Sequence, residues 1–276
     1  MVINGKRYRK IELPNLQSII LDTMKDIHEF CVAHDIQYYC IAGTVLGAVR
    51  HGGFIPWDDD IDIAMTRENY ERFKMLYAQK CSDKYFLQDY RSDKDFGLAL
   101  MRVCIKGTYL DWPAQNHLRN CKCAYIDIFP LDNVPVDETL QIKQANQMKF
   151  LNKVCHIKLY KVGQTKNVFN FIAKSLLHAV LKFVPIRILV QMKEKVMTAY
   201  DHKDSECLCS MQSHYNYKKQ TFKRSVYGTP TLIRFEDTQF FAPEQLERYL
   251  KQLYGNYMEL PPIEKRKTNS NAYIIE

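Results

Sequence analysis

The chain has no long, uninterrupted run of apolar residues. Its first ten residues, Met1 to Lys10, contain no apolar core of the length that a signal peptide requires. The strongly apolar stretch Val168 to Val184 is interrupted by Lys174, His178 and Lys182, four residues apart, so it predicts an amphipathic helix and not a membrane span. We therefore expect a cytoplasmic protein. This helix could make peripheral contact with the inner face of a membrane, or it could pack on the rest of the chain.

The sequence also lacks the cysteine pattern of a disulfide-bonded protein. The chain has nine cysteines, an odd number, scattered through predicted helices and strands, which is typical of reduced thiols and not of a disulfide framework. Two close pairs, Cys121-x-Cys123 and Cys207-x-Cys209, lack the two-residue spacer of most zinc sites. We interpret them as free cysteines, with a structural zinc as the alternative.

Basic residues exceed acidic ones only modestly. The net charge is +8, with 46% hydrophobic and 25% charged residues, a balance that is ordinary for a globular protein. Such an excess suits phosphate-bearing substrates or an anionic membrane surface. The basic run Lys218 to Arg224 has none of the patterns of an RNA-binding sheet, a zinc finger or a recognition helix, so we expect no nucleic-acid partner.

What the sequence does contain is a dense acidic stretch. Four aspartates lie among the five residues Asp58 to Asp62, and an apolar segment follows. In an extended chain Asp60 and Asp62 point to the same face, roughly 6 to 7 Å apart. Neighbouring carboxylates repel each other, and a raised pKa or a bound cation relieves this. Hard oxygen ligands predict Mg²⁺ or Mn²⁺. The alternative is a solvated acidic turn.

The segment before these aspartates predicts an anion site. A strand from Tyr38 to Ile41 breaks at Gly43 and Thr44, and a short helix is expected from Val45 to Arg50. Free backbone N–H groups at the start of a helix bind anions. The guanidinium of Arg50 could add a fixed positive charge.

Three segments together resemble the signature of a known family. They are Gly43 to Asp62, Ile126 to Asp132 and Tyr254 to Pro262. This pattern is similar to the LicD family, the phosphocholine transferases related to fukutin, a branch of the nucleotidyltransferase superfamily. The resemblance implies an α+β fold with a nucleotidyltransferase-like mixed β-sheet flanked by helices and an additional helical region.

This resemblance implies functional roles for Asp127 and Arg102. Asp127 stands alone in the apolar strand Ala124 to Phe129, which is costly unless the acid is paired or bound to a metal. The family pattern implies a third carboxylate at this point, beside Asp60 and Asp62, which can also accept a proton from the attacking hydroxyl. It further implies that Arg102 lies near the nucleotide; a surface ion pair at a strand edge is the alternative.

Periodicity places the remaining elements. Helices are predicted at Asn15–Asp35, Arg67–Gln79, Asp137–Tyr160, Asn167–Tyr200 with a break at Pro185, and Pro243–Leu253. Further strands are predicted at Tyr85–Gln88, Leu98–Ile105, Thr231–Phe235 and near Phe240. Asp132, after Pro130, is expected in a turn. We expect residues 1–135 to form the catalytic core and residues 136–276 a mainly helical remainder whose last strands and helix complete the domain.

The resemblance also implies a reaction. A CDP-activated alcohol, typically CDP-choline, would give its phosphoalcohol to a hydroxyl of a glycan or lipid-linked glycan of the cell surface, such as lipopolysaccharide, teichoic acid or capsule. The metal ligands would be Asp60, Asp62 and Asp127, and the substrate contacts would be Gly43, Thr44, Arg50 and Arg102. The alternatives are a nucleotidyltransferase that adds a nucleoside monophosphate and a noncatalytic binding module.

Overall fold

The structure, a computed structural model, describes residues 2–3, 5–80, 84–112, 117–160, 168–203, 205–268 and 270–276. The helices are α1 Leu13–Ala33, α2 Ala42–His51, α3 Arg67–Lys80, α4 Glu138–Leu159, α5 Val168–Leu181, α6 Ile186–Met197, α7 Tyr217–Gln220, α8 Arg224–Tyr227 and α9 Leu246–Tyr254. The strands are β1 Val2–Ile3, β2 Lys6–Ile11, β3 Tyr39–Cys40, β4 Ile61–Thr66, β5 Tyr85–Gln88, β6 Met101–Ile105, β7 Thr108–Asp111, β8 Tyr125–Asn133, β9 Cys207–Cys209, β10 Thr221–Lys223, β11 Thr231–Phe235, β12 Thr238–Ala242 and β13 Asn271–Ile275. The predicted α+β class is confirmed.

Strand β8 is the centre of the main sheet. All nine of its residues are buried. One edge pairs in parallel with β4, and the other edge pairs antiparallel with β6 at the start of the strand and with β9 at its end. The strand order is β10-β9-β8-β4-β3, with β6 and β5 alongside the first half of β8. The sheet is therefore mixed, as predicted.

The prediction that Asp132 lies in a turn after Pro130 is wrong, because β8 continues through both residues. Pairing with β6 ends at Ile128, and pairing with β9 begins at Asp132. Pro130 thus falls in the gap between two partner strands on that edge, where its missing N–H breaks no ladder bond. The buried Asp132 carboxylate accepts hydrogen bonds from Nε and Nη2 of Arg67 at 2.7 and 2.9 Å.

The predicted helices that flank the sheet are confirmed as α1 and α3. On α1 the buried side chains recur at three- and four-residue steps, the period of one helix face. They are Leu16, Ile20, Thr23, Met24, Ile27, Phe30 and Cys31. Both helices contact β8, and α3 also contacts β4, so they cover the strands that carry the aspartates.

Strands from the C-terminal half of the chain pair with, or pack on, elements of the N-terminal half. Strand β13 pairs with β2 on one edge and β7 on the other, and β9 joins the main sheet beside β8. The hairpin β11–β12 docks on the loop after α2: the carbonyl of Gly52 accepts from Glu236 N at 2.7 Å, and Phe54 N donates to the Glu236 carboxylate at 2.9 Å. A Cβ on Gly53 would lie 2.0 Å from Glu236 Oε1, which explains a glycine there.

Helices α4, α5 and α6 form the additional helical region, and they share a second, smaller apolar core with Tyr90, Ala99, Cys209 and Met211. Asp137 caps α4, as its side chain accepts from Leu140 N at 2.8 Å. The predicted break at Pro185 is confirmed between α5 and α6. Among the described residues, no single helix is long and apolar enough to cross a membrane. One pair, Lys174–Leu181 with Ile186–Tyr200, would qualify by length and composition together, but it is bent by 101°.

Candidate active site

Three charged residues stand side by side on adjacent strands. Asp62 on β4 is the register partner of Asp127 on β8, and Asp127 is in turn the partner of Arg102 on β6. Side chains at paired positions point to the same face of a sheet. Neighbouring strands are about 5 Å apart, so Asp62, Asp127 and Arg102 form one row, which we name the acidic row. Two distant segments of the sequence are thereby brought together.

Arg102 and Asp127 form a buried, bidentate ion pair. Arg102 Nε donates to Asp127 Oδ1 at 2.6 Å, and Nη2 donates to Oδ2 at 3.3 Å. The guanidinium carbon lies 3.8 Å from the ring centroid of Tyr125 and 5.3 Å from that of Phe96. Burial lowers the pKa of Arg102, but the Asp127 carboxylate outweighs this and raises it. Arg102 is therefore not at a surface edge; it orients Asp127 from inside the sheet.

Asp60 and Asp62 carry strongly perturbed carboxyl groups. Burial raises the pKa of Asp60 well above its ordinary value, and the charges of Asp62, Asp58, Asp59 and Asp127 raise it further. Burial also raises the pKa of Asp62, with Asp127 as the largest neighbouring charge. Both side chains stay partly exposed. These carboxylates are thus crowded together where a ligand can reach them.

A second grouping was not predicted as such. Carboxylate oxygens of Asp58, Asp59 and Asp60 lie within 4.8 Å of one another, the only trio of metal-capable side chains this close in the described part of the chain. Burial and the charge of Asp59 raise the pKa of Asp58 to about 6. The Asp59 carboxylate accepts a hydrogen bond from the Ser270 hydroxyl. Asp60 belongs both to this trio and to the predicted set with Asp62 and Asp127.

The start of α2 contacts both groups of aspartates. Ile41 is the last extended residue (φ −131°, ψ 174°), so the helix begins at Ala42 and not at Val45 as predicted. A Cβ on Gly43 would lie 2.8 Å from Asp58 Oδ2, so a larger residue there would displace that carboxylate. The Thr44 hydroxyl accepts from Asp62 N at 2.8 Å. Gly43 and Thr44 therefore position the aspartates directly.

Arg50 lies at the other end of α2, about 10 Å or more from Gly43 along the helix axis. Its Nη1 donates to the carbonyl oxygens of Tyr257 and Glu259 at 3.0 and 3.2 Å. These contacts tie α2 to the segment after α9. The structure thus does not bring Arg50 together with the aspartates, and its contact with substrate stays a prediction.

The donor set fits a hard divalent cation. Every candidate ligand atom in this acidic cluster is a carboxylate oxygen, the type that Mg²⁺ and Mn²⁺ prefer. Burial and the neighbouring carboxylates raise the pKa values of Asp58, Asp60 and Asp62, and a bound cation would relieve this repulsion. At the N-terminal turn of α2, Ala42 N donates to the Tyr249 hydroxyl at 3.1 Å, and Thr44 N and Val45 N donate to the Ile41 carbonyl at 3.1 and 3.3 Å. The anion site predicted from free N–H groups at this helix start therefore stays a prediction.

The sequence patterns did not predict two of the acidic residues of the site. Asp58 and Asp59 belong to the acidic run, but alternation along a strand predicts only Asp60 and Asp62 as ligands. Strand β4 begins at Ile61, so the residues before it follow no two-residue period. The signal that could have found Asp58 is the combination of a glycine at the helix start with an acid just before the strand.

Comparison with known proteins identifies the family of this chain. A sequence model described as "LicD/FKTN/FKRP, nucleotidyltransferase domain" matches residues 35–171. The chain is 25% identical to the lipopolysaccharide cholinephosphotransferase LicD of Haemophilus influenzae over 280 aligned positions, which cover 97% of this chain and all of that protein. The chain belongs to the LicD family. The matched range contains α2, β4, β6 and β8, and with them every predicted site residue.

Two further relatives share a shorter segment with this LicD chain. An uncharacterized protein of Rickettsia typhi is 43% identical over 74 residues, which cover 27% of this chain and 23% of that one. An uncharacterized protein of Rickettsia prowazekii is 34% identical over 80 residues, 29% of this chain and 30% of that one. These short matches add no activity to the family assignment.

Proposed function

We propose that this LicD-family chain transfers phosphocholine, or a similar phosphoalcohol, from a CDP-alcohol to a hydroxyl group of a glycan. The observation that carries the proposal is the register pairing of Asp62 with Asp127 across β4 and β8, beside the start of α2. The activity in the name of the Haemophilus influenzae relative supports phosphocholine as the group transferred and lipopolysaccharide as the acceptor class.

The proposal includes Mg²⁺ or Mn²⁺. Asp60, Asp62 and Asp127 would hold the cation, with Asp58 as a further candidate because its carboxylate meets that of Asp60. A divalent ion at this point would neutralise charge that develops on the diphosphate of the donor. The residues of the chain itself supply position: Arg102 fixes the orientation of Asp127, and Thr44 fixes the start of β4.

The bond changes follow from this arrangement. A glycan hydroxyl attacks the phosphorus atom next to choline, the bond from that phosphorus to the bridging oxygen breaks, and CMP leaves with the electron pair. The hydroxyl proton passes to a base near the acidic row. Asp127 was predicted for this task from the family resemblance, and it remains a proposal, because both of its oxygens already accept from Arg102.

A nucleotidyltransferase differs only in the bond that breaks. Attack at the nucleoside phosphorus would attach CMP to the acceptor and release phosphocholine. A panel of CDP-choline, CDP-ribitol and CDP-glycerol with Mg²⁺ or Mn²⁺ and a lipopolysaccharide acceptor separates the two by product mass. We expect a phosphoalcohol on the glycan and free CMP. A nucleotide on the glycan would replace our proposal, and no product with any donor would favour a binding module.

We also propose that helices α5 and α6 make peripheral contact with a membrane. Helices α5 and α6 present an apolar surface whose side chains are exposed, and we name it the α5–α6 surface: Ile172, Leu176, Leu177, Val180, Phe183, Ile188 and Met192. The sequence from 168 to 193 contains no aspartate or glutamate, and Lys174, Lys182 and Arg187 are interspersed. An apolar surface whose own segment carries only cationic charges suits an anionic lipid interface. A lipid-linked glycan would be presented there.

A further inference from the structure

A large cavity lies apart from the acidic row, between α4 and the segment that runs from β9 through α7. Its volume is about 1290 Å³, larger than the 300 to 1,000 Å³ typical of small-molecule pockets. On α4 its lining residues recur at three- and four-residue steps, so a single face of the helix forms one wall. That face carries Gln141, Asn146, Lys149 and Asn152.

The chemistry of the walls is polar and cationic. Lys149, Lys218 and Lys219 line the cavity against one acid, Glu138. Amide side chains on both sides supply donors and acceptors, which hydroxyl-rich ligands need. The Ser210 hydroxyl, only 1% exposed, also lines the cavity and has no hydrogen-bond partner among the described residues. A buried hydroxyl without a partner is costly, and a ligand could satisfy it.

One end of the cavity approaches the acidic row. Tyr215 lines the cavity, and its ring packs edge-on against Tyr254 with centroids 5.9 Å apart. Lys219 Nζ lies 5.2 Å from the Tyr215 ring centroid. Burial raises the pKa of Tyr254, and Tyr215 and Asp62 are among the neighbouring groups that raise it further. Tyr254 therefore neighbours both Asp62 and the cavity-lining Tyr215.

We propose that this cavity binds the glycan acceptor, as an oligosaccharide that carries acidic groups such as phosphate. The inference rests on the proposed function and adds the location and charge of the acceptor site. The volume accommodates more than one sugar ring, the amides and hydroxyls bind sugar hydroxyls, and the lysines bind the acidic groups. The end of the cavity at Tyr215, next to Tyr254 and so nearest to Asp62, is where we place the reacting sugar.

The test measures binding of one probe, the oligosaccharide left after lipopolysaccharide is de-acylated, which keeps its phosphates. Calorimetry without donor gives its affinity for the wild-type chain and two matched variants of α4. Asn146→Trp places a bulky ring in the cavity, whereas the exposed neighbour Gln147 does not line it, so Gln147→Trp is the control. We expect Asn146→Trp to weaken binding about tenfold or more and Gln147→Trp to change it less than about twofold.

A second pair tests the charge. Lys149→Glu reverses a lining charge, and Lys153→Glu reverses an exposed charge on the same helix outside the cavity. We expect only Lys149→Glu to weaken binding, and its effect to shrink when the oligosaccharide has been treated with phosphatase. Unchanged affinity in both Asn146→Trp and Lys149→Glu, or no binding to the wild-type chain, overturns the proposal.

Donor binding is measured separately, as the rise in melting temperature with CDP-choline and Mg²⁺. We expect Asn146→Trp to keep the wild-type rise. A loss of that rise in Asn146→Trp but not in Gln147→Trp would assign the cavity to the donor and overturn the acceptor assignment. Absence of any rise in the wild-type chain, with oligosaccharide binding intact, would instead refute the CDP-choline donor and leave the acceptor site standing.

Discussion

Arg102 and Asp127 face each other on β6 and β8, and the guanidinium holds both carboxylate oxygens. The same strand carries a second such pair farther along, between Asp132 and Arg67. One pair lies beside Asp62, and the other lies away from it, where β9 begins to pair. The two pairs therefore offer a direct comparison between an ion pair in the site and one outside it.

Removing either arginine should destabilise the fold. Arg102→Met or Arg67→Met leaves a buried carboxylate without its counter-charge, which costs about 3 to 5 kcal/mol of the free energy of unfolding. Urea denaturation measures this. Only Arg102→Met should also weaken binding of CDP-choline with Mg²⁺, because only Asp127 lies in the acidic row. Equal effects of both variants on donor binding would contradict a specific role for Arg102.

Asp62→Asn should raise the stability of the protein while it lowers its activity. The burial and charge crowding that raise the pKa of Asp62 also make its ionised form costly. In EDTA the variant should therefore be more stable than the wild-type chain by about 0.5 to 2 kcal/mol, while transferase activity falls by about 10³-fold or more. Melting curves with and without Mg²⁺ measure the first effect, and CMP release measures the second.

Asp137→Asn is the matched control for that experiment. Asp137 caps α4 away from the acidic row, and asparagine caps a helix about as well. Its stability and activity should both stay close to the wild-type values. A stability gain for Asp137→Asn as large as that for Asp62→Asn would show that the gain has nothing to do with crowding in the site.

Gly43→Ala should weaken the proposed metal site without weakening the fold. The new methyl group would lie 2.8 Å from Asp58 Oδ2, so the carboxylate must move. Gly43 has a helical backbone in α2, where alanine is favoured over glycine by up to about 1 kcal/mol. We expect an unchanged or higher melting temperature and an affinity for Mn²⁺ about three- to tenfold lower. Mn²⁺ titration followed by electron paramagnetic resonance measures the affinity.

Gly47→Ala, one turn later, gives the contrast. There a Cβ would lie 2.4 Å from the backbone oxygen of Gly53, which cannot rotate away. This variant should lose about 1 to 3 kcal/mol of stability. If Gly43→Ala proves as destabilising as Gly47→Ala, steric fit with Asp58 does not explain the glycine.

Lys193 should make stability depend on pH in the alkaline range. It is 1% exposed, its Nζ donates to the carbonyl of Gly97 at 3.2 Å, and burial lowers its pKa to about 8. Between pH 8 and about 10.5 the unfolded chain holds this proton more tightly than the folded one, so this residue's contribution to stability rises with pH. Lys193→Met should remove a rise of at most about 3 kcal/mol.

The exposed Lys195 on the same helix gives the control variant, Lys195→Met. Denaturation curves at pH 7, 8, 9 and 10 are compared as differences from the wild-type chain. The stability of Lys193→Met relative to wild type should fall across this range, whereas that of Lys195→Met should stay flat. A flat difference for Lys193→Met would mean that its ammonium group is solvated.

The α5–α6 surface should bind anionic vesicles. Leu176 and Val180 are 64% and 63% exposed and stand one turn apart on α5. The double variant Leu176→Asp/Val180→Asp should reduce co-sedimentation with phosphatidylcholine–phosphatidylglycerol vesicles by about tenfold relative to the wild-type chain. Both chains should bind less to vesicles of phosphatidylcholine alone. Ile263→Asp changes an apolar side chain that is 77% exposed elsewhere and should have no effect. Equal binding of all three chains would contradict the proposed membrane contact.

Local sequence patterns predicted the elements whose contacts are local. The apolar period of α1, the strand Tyr85–Gln88 and the lone Asp127 among isoleucines were sufficient to place a helix, a strand and an acid inside the sheet. Pairing between distant strands was not accessible in this way. Nothing within β13 shows that it inserts between β2 and β7, and nothing near Pro130 shows that two different strands share one edge of β8.

In the site, too, local patterns predicted single residues but not the contacts between distant segments. Alternation along a strand identifies Asp62, and the family resemblance identifies Arg102, but the partner of Arg102 depends on the register of β6 against β8. The position of Asp58 depends on a helix start that faces it from another element. The distance of Arg50 from the aspartates follows from helix length, which was predicted too short at its N-terminal end.

The parallel pairing of β4 with β8 bears on how the protein acquires its chemistry. Parallel strands cannot be joined by a tight turn and need a long crossover connection. The crossover between β4 and β8 contains α3 and β5 to β7, and it must fold before Asp127 reaches Asp62. No early hairpin can assemble the row. Regain of enzymatic turnover during refolding should therefore lag behind the recovery of helical circular dichroism, and the length of that lag would time the docking of the crossover.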